Sequence, residues 1–331
     1  MVETKKIFSQ KQVLSWMCIL IAVLPLAIPN MNFHHVMIMF VIFAALGQSW
    51  NIITGFAGQT SFGHAAFFGI GAYTSSVLFW KYMVSPWVGM LLGALIAMGV
   101  AVIVSYPCFQ LKGHYFAIAT LAIGEIIQQI FVSWEYVEGA TGISLPILPE
   151  GFLQLQFHQS KLPYFYIAYV LFVLVIVVAY GIEHSKMGYY LKAIRESQEA
   201  GEAIGINPTR YKLFAMMISS FMTAIFGSLY AQYILYIDPF MVFSLPLSMK
   251  IVLLTVLGGL GTLYGPIIGA AILIPLSEYT RILFGGTGKG IDLIIFGLLV
   301  VLVACYQPKG MIGLFGGWAR KGQRTGGEKG E

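Results

Sequence analysis

The amino-acid sequence predicts an all-α integral membrane protein of about ten transmembrane helices, and three observations lead there. Apolar residue types make up 58 % of the 331 residues, and Asp, Glu, Lys and Arg only 10 %. A soluble domain carries about 25 % charged residues to cover its surface. The apolar residues fall in runs close to the roughly 20 that a helix needs to cross hydrocarbon. Gly (37) and Phe (24) are abundant, as they are where membrane helices pack closely. This composition excludes an ordinary cytosolic enzyme, and it is too apolar for a disordered chain.

In chain order the candidate spans are 13–29, 36–53, 61–80, 87–106, 115–133, 163–181, 211–234, 246–257, 265–284 and 291–306. Lys5, Lys6 and Lys11 precede the first run, as in a signal peptide. The run is long and has no small-residue cleavage site after it, so it reads as an uncleaved span. The second and third spans meet at 54–59, a glycine-containing break too short for an ordinary loop. The run 246–257 is short and carries Lys250, so it either starts earlier or is a broken helix. With the N-terminus inside, fourteen Lys and Arg lie on the inner side and four on the outer. That bias predicts an N-in, C-in chain with an even span count. The expected organisation is a cytoplasmic N-terminal segment (1–12), a transmembrane domain (13–306) and a cytoplasmic C-terminal tail (307–331). A long inner loop (183–212) joins spans six and seven.

The net charge of +5 sits in loops and tails. It serves topology and predicts contact with lipid rather than nucleic acid. Cys18, Cys108 and Cys305 are isolated, and the six histidines form no HxxxH or HExxH pair. No disulfide framework, metal site or catalytic residue is expected. The run 285–290 (GGTGKG) lacks the GxxxxGK[ST] pattern of a phosphate loop and fits an outer turn. An intramembrane enzyme would need paired carboxylates, a His cluster or GxSxG, and none is present. An ion-coupled secondary transporter would need more paired intramembrane charge than this chain has.

The inner loop reads as one helical region. Leu191, Ile194, Gln198, Gly201 and Ile204 follow 3–4 spacing on one narrow face, and Lys192, Arg195, Glu196, Glu199 and Glu202 mostly point elsewhere. Gly205 suits a left-handed C′ position, and Asn207-Pro208 can cap the next helix. Such a segment is either a solvated connector or a docking knob, since an apolar stripe with a charged rim fits a groove on a partner.

Gly55, Gly58, Gly63, Gly69 and Gly71 lie in and after the break, with Asn51, Gln59, Ser61 and His64 beside it. Unwound backbone at membrane depth is tolerated only against protein or a watery cavity. The break therefore either lines a translocation path or packs helices with inter-helix hydrogen bonds. Glu125 falls inside the fifth span, where a carboxylate costs about 2.5–3.5 kcal/mol to insert. It is either a path residue or the partner of an intrabundle hydrogen bond. Glu278, Arg281 and Asp292 mark the outer ends of the last two spans. Gly258, Gly259, Gly261, Gly265 and Pro266 make an inner turn that lets two spans approach.

Six stretches carry a family resemblance: 188–196 (GYYLKAIRE), 199–207 (EAGEAIGIN), 209–215 (TRYKLFA), 49–73, 111–125 and 258–270. Together they resemble the permeases of ABC importers, and most closely the LivM type that serves branched-chain amino acids. The resemblance covers residues 35–315 or so and departs at Gly201, where Ala is frequent. It implies an ATPase-docking loop made by Gly188, Leu191, Ala193, Ile194, Arg195, Glu196, Glu199, Glu202 and Gly205. It implies partners: a second permease subunit in a heterodimer, two cytoplasmic ATPase subunits and an external solute-binding protein. ATP and Mg would sit on the ATPases, with no cofactor on this chain. The implied location is a bacterial or archaeal inner membrane. Permeases for urea or short amides look much alike, so the cargo class stays open between them.

Overall fold

Residues 2–28, 30–111 and 113–283 are described in the computed structural model, with positions 294, 297, 298 and 311. Nine of the ten predicted spans lie on helices, and of the tenth, 291–306, only three positions are described. Position 285 onward, with the glycine-rich run, Asp292 and Cys305, otherwise lies outside the described residues. The helices are α1 (Val2–Ala27), α2 (Met31–Asn51), α3 (His64–Tyr82), α4 (Pro86–Cys108), α5 (His114–Ser133), α6 (Leu162–Glu183), α7 (Lys186–Glu196), α8 (Gln198–Ala203), α9 (Pro208–Ile234), α10 (Pro239–Val242), α11 (Leu245–Gly258) and α12 (Gly265–Leu283). The predicted N-terminal segment is continuous with the first span, because 2–12 is rich in Lys, Gln and Glu, which favour helix.

Six units among the described residues are long and apolar enough to cross a membrane: α2 with its C-terminal extension, α4, α5, α6, α9, and α10 with α11. The predicted break near Lys250 is real and lies earlier. Ser244 separates α10 from α11, and its hydroxyl caps α11 by accepting from Leu247 N. Lys250 is accommodated within the bundle, its Nζ donating to Ser277 Oγ at 3.2 Å and lying 4.6 Å from the Phe43 ring centroid. Caps with the same logic start α9, where Asn207 Oδ1 accepts from Arg210 N ahead of Pro208, and α10, where Asp238 does so ahead of Pro239.

α2 is the axis of the fold. It is apolar all round, as a helix enclosed by others should be. In its most apolar window 94 % of residues are buried, against 22 % in α5. α6, α9, α11 and α12 pack round it, and α3 and α4 pack on α9. α3 is buried on nearly every side, so it needs no lipid-facing apolar surface. α5 leans on α3 and α4 with only Phe116, Thr120 and Gly124 buried. Between α5 and α6 the chain folds on itself. Ile143–Ser144 (β1) pairs antiparallel with Tyr236–Ile237 (β2), and Trp87 Nε1 ties the excursion down by donating to Phe152 O at 2.8 Å.

Glu278 is buried rather than presented at a surface: His35 Nε2 lies 3.7 Å from its Oε2, and His35 Nδ1 is 2.6 Å from Tyr233 Oη. This cluster clasps α2, α9 and α12. The α3–α9 crossing depends on glycine. A Cβ on Gly71 would strike the Ala224 carbonyl, and one on Gly227 the Phe68 carbonyl. Neither neighbour can yield, because both are helix backbone. Gly227→Ala is expected to destabilise the folded chain by about 1–3 kcal/mol, read as a lowered midpoint of thermal unfolding in detergent.

Candidate functional site

The predicted break is present and has an ordered internal structure. After Asn51 the helix widens into a π turn, Ile52–Phe56, and then reverses through Gly58 at φ +72°. Widening leaves backbone groups without helical partners, and side chains from elsewhere supply them. Trp50 Nε1 donates to Ser61 O at 2.6 Å, and Thr54 Oγ1 donates to Gln59 O at 2.9 Å. Asn51 reaches across to the α11–α12 turn, its Nδ2 donating to Thr262 O at 2.9 Å and its Oδ1 accepting from Gly261 N at 2.8 Å. Phe62 N donates to Thr120 Oγ1, and Ala65 N to Ser248 Oγ.

His64 opens α3 in full burial. Ser219 Oγ donates to Ser49 O at 2.7 Å, so it must accept from His64 Nε2, also at 2.7 Å. The ring therefore carries its proton on Nε2, and Nδ1 accepts from Ser61 Oγ at 3.1 Å. Asn51, Ser61 and His64 are thus sealed inside the protein with protein partners. Gly58 and Gln59 stand at the edge of the break, where the chain meets α8. A polar hollow of about 290 Å³ lies there, lined by Gln59, Leu111, Gly113, Ser197, Gln198, Glu199 and Glu202.

The loop after α6 differs from the single predicted helix. Ser197 is extended (φ −157°, ψ 113°) and its hydroxyl accepts from Ala200 N, so α7 ends and α8 begins at that residue. The signal was a capping Ser with Glu199 in the following turn. Most of the apolar stripe turns inward, and its last member, Ile204, is exposed. Leu191 and Ile194 are buried against this chain's own helices, and so is Gly201. Gly188 is there because a Cβ would strike the Ile182 and Glu183 carbonyls where α6 turns into α7. Ala193 is half-buried. The exposed rim is Glu196, Glu199, Glu202, Ile204 and Gly205, the last at φ +84° as its C′ position requires. Lys212, buried in α9, holds α8 from below: its Nζ donates to Gln198 Oε1 at 2.8 Å, and Gln198 Nε2 donates to Glu202 Oε1 at 3.0 Å. Arg195 stands beside Glu196 of that rim, its Nε 3.9 Å from Glu196 Oε1, and sends the end of its guanidinium inward. Its Nη1 donates to Gly55 O at 2.7 Å.

Glu125 lies in the middle of α5 on its exposed face. Gly124 packs at 3.6 Å from the Gly63 Cα, and the next residue turns the other way. Tyr115, Ile118, Ala122, Glu125, Gln129 and Ser133 form one exposed stripe at 3–4 spacing. Among the described residues no hydrogen-bond partner meets the Glu125 carboxylate.

Residues 32–304 match the family described as "Branched-chain amino acid transport system / permease component". The chain belongs to that family. It is 27 % identical to the high-affinity branched-chain amino acid transport system permease protein LivM of Salmonella typhimurium, over 83 % of this chain and 68 % of that one. It is 26 % identical to the LivH permease protein of Escherichia coli, over 82 % and 91 %. A probable LivM of Methanocaldococcus jannaschii is 24 % identical over 84 % and 92 %. No solved structure matches the chain significantly.

The permease is a multi-pass membrane protein of a transport family, and its two sets of predicted site residues meet at Arg195. Asn51→Leu is expected to destabilise the permease by about 3 kcal/mol, since it leaves the Gly261 amide and the Thr262 carbonyl buried and unpaired. Urea titration in detergent reads this. At Gly201 a Cβ would find Ile194 Cγ1 at an ordinary 3.8 Å. Gly201→Ala is therefore expected to stabilise α8 by ~0.5–1 kcal/mol, seen as slower hydrogen exchange at the amides of Gly201 and Ile206.

Proposed function

We propose that this permease is the translocation subunit of an ATP-driven importer that carries branched-chain amino acids inward by alternating access. The observation that carries this reading is Glu125. A carboxylate at mid-span on the least buried of the six membrane-length units would be costly against lipid. A second permease subunit across a water-lined path accounts for it, and LivM and LivH proteins are distinct permeases among the relatives. Cargo then passes along the α5 stripe, with Gly58 and Gln59 at one end of the route. Asn51, Gly55, Ser61 and His64 frame the wall behind it. A path with a single fixed charge among otherwise uncharged side chains holds a zwitterion with an apolar side chain loosely, so that it can be released.

In this reading the chain has ten spans with both termini inside a bacterial or archaeal cytoplasmic membrane. The α7–α8 rim of Glu196, Glu199, Glu202 and Gly205 meets cytoplasmic ATPase subunits, which bind ATP and Mg. An external binding protein delivers cargo and supplies most of the selectivity.

Vesicles holding this chain with a second permease, the ATPases and the binding protein are expected to take up labelled leucine on ATP addition. Urea uptake without leucine uptake would replace the cargo and keep the machine. Glu125→Leu is expected to leave the complex assembled and slow leucine uptake about tenfold, roughly 1.4 kcal/mol on the barrier. Unchanged uptake would remove α5 from the path.

A further inference from the structure

Arg195 is the next-to-last residue of α7, immediately ahead of the Ser197 joint. A push on α8 is therefore delivered to α7 at this side chain. The side chain is 39 % exposed, yet its guanidinium runs inward to the Gly55 carbonyl. Gly55 lies near the C-terminal end of the long α2–π unit, where unpaired carbonyls and the helix dipole favour a cation. A planar guanidinium is suited to that place, because it keeps its charge and offers several donors in one plane.

The surroundings are shaped to the arginine. A Cβ on Gly58 would lie 3.0 Å from Arg195 Cγ, and one on Gly261 would lie 2.6 Å from Arg195 Nη1. Both glycines have positive φ, +72° and +74°. The two belong to different breaks, one between α2 and α3 and the other between α11 and α12. Asn51 already joins those breaks to each other through Gly261 N and Thr262 O. Four membrane helices thus change direction around one side chain that comes from the loop.

We infer that Arg195 is a positioning residue that latches α7 to both breaks, so that movement of the α7–α8 loop reaches the transmembrane backbone through its guanidinium. The inference rests on the importer reading above and adds a route to it. Arg195 carries motion rather than contacting the ATPase, which separates it from Glu196, Glu199 and Glu202. Gly58 and Gly261 are part of the same latch, since a methyl at either would displace the guanidinium.

The test uses the full complex in vesicles and reads leucine taken up per ATP hydrolysed, with ATPase co-purification beside it. Arg195→Ala is expected to keep the ATPases bound and to lower the uptake-to-hydrolysis ratio about tenfold, within the usual range of coupling between sites. Arg195→Lys keeps the charge and one donor and is expected to fall between the two. Gly58→Ala is expected to mimic Arg195→Ala, and the double variant to be no worse than either single, because both break one contact. Independently of cargo, amide hydrogen exchange at 57–60 and 259–262 should quicken together in Arg195→Ala. Wild-type coupling in Arg195→Ala overturns the latch and leaves the importer intact. Loss of the ATPases in both Arg195 variants overturns it too, by making Arg195 a docking contact. Additive loss in the double variant also overturns it. A wild-type complex that hydrolyses ATP and moves neither leucine nor urea overturns the importer reading instead, and unchanged exchange at the two breaks then overturns the latch separately.

Discussion

Backbone polar groups cannot be left unpaired at membrane depth, and that constraint organises this permease. A continuous helix satisfies it locally. The chain gives up that solution at the π turn after Asn51 and again in the turn between α11 and α12. At both places side chains supply partners, some from nearby in the chain and some from distant parts of it. Asn51 serves the second break from the first, Trp50 and Thr54 stitch the first to itself, and Arg195 reaches it from the loop. The broken segments are therefore held as firmly as helices while keeping a geometry that helices do not have.

Small residues make those long-range contacts possible. Gly258 and Gly269 bring α11 and α12 so close that a Cβ on either would strike the opposite backbone. Gly55 leaves room for the Asn51 side chain. Lipid offers no hydrophobic drive between helices, so close packing and hydrogen bonds must supply the stability. Of the six membrane-length units, α2 gains the most from this, being enclosed on every side, and α5 the least. A helix held so lightly, with a carboxylate on its open face, is suited to contact with another subunit.

The division of the loop into α7 and α8 separates two tasks that a single helix would merge. α7 is seated in its own bundle by Leu191 and Ile194, with Gly188 letting it come close to α6. α8 carries the exposed acids and is braced by Lys212 through Gln198. Of the apolar stripe read from periodicity, Leu191, Ile194 and Gly201 have an internal partner, while Ile204 stays exposed.

The helices under nine of the ten apolar runs, the glycine break, the Gly205 stop and the Asn207-Pro208 start were legible in the sequence. They depend on runs, spacings and local backbone preferences that neighbouring residues decide among themselves. Periodicity gives a face but not what the face meets, so it could not say that Leu191 and Ile194 turn inward. Nor could it show that Glu125 turns outward or that Glu278 pairs with His35. Ser197 was readable as a cap, and a lone serine within a helical pattern is easily passed over. The meeting of Arg195 with Gly55, Gly58 and Gly261 lies beyond any local rule. Those residues are scattered along the chain, and only the packing of α7 against two membrane breaks brings Gly55 into a hydrogen bond with Arg195 and Gly58 and Gly261 into close contact with it.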